Sequence, residues 1–187
     1  MAEPGAKSKA LIHTKNLVIT AMFTAIICVL SQIQIPVQTI PFTLGLLSIF
    51  LTGALLEPKL AFLAVLVYLL LGAVGVPVFA GFTGGLRFLL GPTGGYLMSF
   101  PLVALITALA GSKFRKYKAL ALTCGMLLSL FLCYLLGTAW FCLITDNSFM
   151  YALSICVYPF VLFDLAKLAL SVSLGMGIRK ALAANFY

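Results

Sequence analysis

Long uncharged, apolar stretches alternate with short clusters of charge along this chain. Residues 16–56 carry no charge, nor do 60–86, 88–112, 119–145 and 147–163. A helix needs roughly 20 apolar residues to cross a bilayer, so these stretches are candidate membrane spans. The first is too long for one helix, and its polar, proline-bearing centre (Ser31, Gln32, Gln34, Pro36, Gln38, Thr39, Pro41) divides it in two. The pattern predicts helices at 17–33 and 42–56, a tight turn at Glu57-Pro58-Lys59, and a third helix at 60–73. Residues 72–97 are too rich in Gly and Pro to form a continuous helix. Three more helices are predicted at 95–111, 119–144 and 150–178. A basic loop at 113–118 and the turn Thr145-Asp146-Asn147-Ser148 separate them.

Composition agrees with that pattern. Of 187 residues, 63% are hydrophobic and 9% charged, and the mean hydropathy is +1.19. Soluble domains carry about 25% charged residues, so this chain cannot cover a water-facing surface. Six crossings use about 120 residues, which leaves no room for a separate soluble domain. The expected fold is an all-α integral membrane protein: one domain over 1–187 with six transmembrane helices and a short basic tail at 1–16.

Charge then orients it. Ten basic residues (Lys7, Lys9, Lys15, Lys59, Lys113, Arg115, Lys116, Lys118, Arg179, Lys180) fall on the side of the N-terminus, and only Arg87 lies in a loop opposite. Positive loops stay inside, so both termini are expected to be cytoplasmic, with an extracellular Gly/Pro-rich loop between the third and fourth helices. This topology, with attraction to anionic lipid, accounts for the net charge of +8 without a nucleic-acid partner. The N-terminal apolar run is too long for a cleavable signal and lacks a clear cleavage site. Five cysteines (Cys28, Cys124, Cys133, Cys142, Cys156) fall in predicted helices without a C-x-x-C pair and read as small apolar fillers.

The inventory argues against catalysis. His13, the one histidine, precedes the first helix, so no Ser-His pair or histidine metal site is expected within the membrane. No G-x-x-x-x-G-K-[ST] occurs, and Asp164 is the one carboxylate expected in mid-membrane. No catalytic residue and no metal site are expected.

Asp164 and Lys167 stand i, i+3 on the last helix, on one face. Ions in hydrocarbon cost several kcal/mol unless paired, so the two either lock that helix to a neighbour or line a polar site. Arg87 sits in GFTGGLRFLLGPTGGY, and broken, Gly-rich segments at membrane depth are tolerated only when buried in protein or lining a cavity. Arg87 is otherwise a loop arginine reaching for headgroups. Together the three charges leave one net positive charge, which suits a small carboxylic acid bearing N–H groups. Phe79, Phe82, Phe88 and Tyr96 could wall it. Ala21 and Ala25 form a small-x-x-x-small pair, which serves either internal packing or a partner's docking face.

These residues resemble a known family. VPVFAGFTGGLRFLLGPTGGYLMSF (76–100) and FDLAKL (163–168) are similar to the BioY family, the biotin-specific substrate-binding S components of energy-coupling-factor (ECF) vitamin transporters. IPFTLGLL (40–47) resembles that family's P-x-T-L-Q segment, with Gly45 in place of Gln. The resemblance implies a six-helix, non-catalytic subunit of high biotin affinity in a bacterial plasma membrane, with biotin as transported ligand and no cofactor. Its partners would be a transmembrane coupling protein and two cytoplasmic ATPases. Asp164 and Lys167 would contact biotin, and Arg87 would help hold or cover it. Thr43, Phe79, Gly91, Gly95 and Tyr96 would line the pocket, the 74–94 segment would cover it, and Ala21 and Ala25 would dock the partner. The alternative is a solitary proton-coupled carrier for a small carboxylic acid with Asp164 as relay. A non-transporting scaffold is the third class.

Overall fold

The computed structural model describes residues 4–35, 42–114 and 117–185. Pro36, Gln38, Thr39 and Pro41 of the dividing turn lie outside the described residues, as do Arg115 and Lys116 of the basic loop. Among the described residues eight helices follow in order: α1 (Pro4–Gln32), α2 (Gly45–Leu55), α3 (Pro58–Ala73), α4 (Leu86–Leu90), α5 (Gly94–Lys113), α6 (Lys118–Thr145), α7 (Phe149–Cys156) and α8 (Tyr158–Asn185). Two short strands, β1 (Gln34–Ile35) and β2 (Phe42–Thr43), pair antiparallel between α1 and α2.

Local chemistry sets several of these ends. Pro58 opens α3 at a position where its missing N–H is not needed. Asp146 closes α6 in the left-handed conformation (φ 53°), and Ser148 Oγ accepts from Tyr151 N–H at the start of α7. On α8, Arg179 donates through Nε to the Ala54 carbonyl (2.7 Å) and through Nη2 to the same oxygen, capping α2.

Two expectations about helix extent are corrected. The last helix is not continuous over 150–178: it breaks at Val157 (φ −121°, ψ −58°) into α7 and α8. Pro159 explains this, because its ring has no N–H and would collide with the carbonyl four residues earlier. The first helix does not wait until residue 17 but begins at Pro4, so the basic tail is largely helical. A proline in the first turn followed by Ala, Lys and Leu favours that start.

Four helical segments among the described residues are long and apolar enough to cross a membrane: Thr14–Gln32, Gly94–Lys113, Lys118–Thr145 and Tyr158–Ala181. The apolar α2 and α3, with 11 and 16 residues, are shorter. Helix α2 is the axis of the bundle and is buried along nearly all its length against α1, α5 and α8. Gly53 makes its approach to α5 possible, since a Cβ there would stand 2.7 Å from the Ala104 carbonyl oxygen. Buried hydroxyls bond to carbonyls: Thr52 to Ser48 (2.7 Å), and Thr24 to both Thr20 (3.0 Å) and Ala64 of α3 (2.9 Å). Leu128, Phe131, Leu162 and Leu170 point outward instead. Keeping the few polar side chains bonded inside an otherwise apolar core, with apolar side chains outside as well, suits a lipid solvent.

Candidate ligand site

Asp164 and Lys167 lie near the start of α8 and are 5% and 6% exposed. One helical turn brings them together, and Lys167 Nζ donates to Asp164 Oδ1 at 2.7 Å. The other carboxylate oxygen accepts from the phenol of Tyr134 on α6 at 2.6 Å. From β2, the Phe42 ring lies 3.9 Å from the Lys167 ammonium and packs edge-on against Phe163 (5.0 Å). The ion pair is therefore internal to α8, and its ties to neighbouring elements run through Tyr134 and Phe42.

This cluster opens on a cavity of about 90 Å³ whose wall includes Thr43, Tyr96, Phe100 and Tyr134. Thr43, Tyr96 and Phe100 also wall a second cavity, about 240 Å³, lined further by Tyr68, Phe79, Thr83 and Phe88. A compact ion pair thus borders an aromatic chamber with hydroxyls at its edge. Stacked edges build that chamber: Tyr68 meets Phe79 at 5.6 Å and Phe79 meets Phe88 at 6.5 Å. Tyr96 and Thr138 share a hydrogen bond of 3.0 Å that fixes the tyrosine on α5 against α6.

Of the residues singled out in the sequence, Asp164, Lys167, Thr43, Phe79 and Tyr96 come together around the two cavities. Arg87 and the two glycines are placed differently. Arg87 is exposed on α4, with its guanidinium 4.8 Å from the centre of the chamber residue Phe88. The Gly91 carbonyl accepts from Trp140 Nε1 at 3.0 Å, tying the end of α4 to α6. Gly95 lies where a Cβ would overlap Trp140, so its smallness serves the α5–α6 contact. Ala21 and Ala25 are exposed on α1, beside Leu17, Val18 and Met22, while Thr20, Thr24 and Ile27 turn inward.

Sequence reasoning missed Tyr134, Phe42 and Phe100. For Tyr134 a signal existed: it is the one tyrosine in the long apolar α6, and a buried phenol needs a partner. All five cysteines are free, and Cys133 Sγ accepts from Ser99 Oγ at 3.0 Å. No group of three potential metal ligands occurs among the described residues.

The BioY family model matches residues 6–184. This chain belongs to the BioY family. Over 158 residues it is 39% identical to a Pyrococcus horikoshii protein named "Probable biotin transporter BioY", covering 84% of this chain and 92% of that one. Over 170 residues it is 39% identical to the biotin transporter BioY of Thermotoga maritima, covering 89% and 96%. The crystal structure of the S-component for biotin from an ECF-type ABC transporter superposes with a TM-score of 0.83 at 26% identity, over 96% of this chain and 95% of the other. With its long apolar helices, this BioY-family chain is a multi-pass cell-membrane protein.

Proposed function

We propose that this chain is the biotin-binding S component of an ECF-type transporter, a transport subunit and not an enzyme. The observation that carries the reading is the Asp164–Lys167–Tyr134 cluster bordering an aromatic chamber, in a chain that matches a biotin S-component along nearly its full length. The ion pair is neutral as a whole, which suits a neutral group that both donates and accepts. The ureido ring of biotin is such a group: its N–H groups face Asp164 and its carbonyl oxygen faces Lys167. The thioether ring and valerate chain then occupy the aromatic chamber, and the carboxylate lies toward Arg87 on α4.

In this reading α1, α2, α3, α5, α6 and the α7–α8 pair are six membrane segments with both termini cytoplasmic, as the bias of basic residues favours. Residues 74–94 cover the site. Biotin is bound with high affinity as cargo, no cofactor takes part, and a transmembrane coupling subunit with two ATPases supplies the energy. Ala21 and Ala25 are free of internal packing, which leaves them for that docking.

Uptake in a biotin-transport-deficient host tests this. Biotin accumulation should require co-expression of the coupling subunit and ATPases and should survive collapse of the proton gradient. Uptake by the chain alone that collapses with the gradient would instead identify a solitary carrier.

A further inference from the structure

We propose that Gln32, on the last turn of α1, is a positioning residue that fastens the 78–82 turn over the candidate site and so sets how long a ligand stays bound. This rests on the ligand-binding reading above. The Gln32 carboxamide reaches across to the covering segment with both of its ends: Nε2 donates to the Val78 carbonyl at 2.8 Å, and Oε1 accepts from Phe82 N–H at 2.8 Å. Nε2 also donates to the Cys28 carbonyl of its own helix at 3.2 Å, which holds the side chain in place.

Between the two anchor points the chain makes a sharp hairpin. Phe79 and Thr83 exchange backbone hydrogen bonds of 2.9 and 3.3 Å, and both line the aromatic chamber together with Ala80. The tip places Gly81 at φ +73° and Phe82 at φ +55°. The left-handed region is unfavourable for an aromatic residue, and the Phe82 side chain is 74% exposed, so burial does not hold it there. The Phe79–Thr83 pair closes the turn around it, and the bond from its own N–H to Gln32 fixes it to α1. A carboxamide is required because one group must donate to a carbonyl and accept from an amide at once. The far end of the covering segment is tied separately, by Trp140 to Gly91. Phe79 itself is buried at the foot of the hairpin, and Gly85 N–H bonds to the Gly72 carbonyl at 2.6 Å, so releasing Gln32 loosens the tip at 80–82 while its base stays seated.

The test is a chase of tritiated biotin from the purified wild type, Gln32→Met and Gln32→Glu in detergent, with association measured in parallel. Loss of both hydrogen bonds in Gln32→Met should speed release at least about tenfold with association changed less than about twofold. Gln32→Glu keeps an acceptor for Phe82 but turns a carboxylate oxygen toward the Val78 and Cys28 carbonyls, so its release should be at least as fast as that of Gln32→Met. A merely structural role would reduce the fraction of protein that binds and leave release from that fraction unchanged. Wild-type release rates in both variants overturn the proposal, and Gln32→Glu decides alone if Gln32→Met does not fold. A wild type that retains no biotin overturns the ligand reading itself, and the latch with it.

Discussion

The phenol of Tyr134 donates a 2.6 Å hydrogen bond to Asp164, so α6 holds the carboxylate whose other oxygen is already paired with Lys167. The carboxylate is thereby aimed within the bundle. Tyr134→Phe removes only the hydroxyl. A hydrogen bond to a charged group is worth about 1.5–3 kcal/mol, so biotin affinity should fall by roughly 10- to 100-fold while the fold persists. Equilibrium binding with labelled biotin checks this, and an unchanged affinity would remove Tyr134 from the site.

Lys167→Ala leaves Asp164 buried without its cation. Breaking a buried pair from one side costs about 3–5 kcal/mol, whereas replacing both charges by apolar residues is often neutral. Thermal unfolding in detergent should therefore show Lys167→Ala well below wild type, and Asp164→Leu/Lys167→Leu closer to it. Neither should bind biotin.

Arg87 lies outside the walls of both cavities yet beside Phe88. If it meets the ligand carboxylate, Arg87→Ala should weaken biotin by about tenfold or more and leave the uncharged biotin amide nearly unaffected. Competition binding with the two ligands measures the difference. Equal losses for both would place the carboxylate elsewhere.

Ala21 and Ala25 face outward, so a tryptophan at either position meets no core side chain. Ala21→Trp and Ala25→Trp should retain biotin binding and lose uptake with the partner subunits present. Retention of both activities would move the docking face off this side of α1.

The uncharged stretches made most of the fold legible, because a span must be apolar for about 20 residues whatever it packs against. Pro159 was in plain view, but the apolar run around it concealed the break between α7 and α8, since hydropathy does not register a missing N–H. At the site, Asp164 and Lys167 stood out because charge is costly in mid-membrane. Phe42 and Phe100 did not, because an aromatic in an apolar chain gives no sign of whether it meets lipid, core or ligand. Gly91 and Gly95 sit in the motif beside Tyr96, yet their backbones meet Trp140, which only the approach of α6 determines. Gln32 was visible as a polar residue in a turn, but its partners lie 46 and 50 residues further along the chain.

Titration of biotin into the purified, ligand-free chain, beside Asp164→Asn, tests the central claim most directly. The expected result is saturable one-to-one binding, weakened at least about tenfold in the variant, or roughly 1.4 kcal/mol. A wild type that binds no biotin by calorimetry or by direct retention of labelled ligand would contradict it.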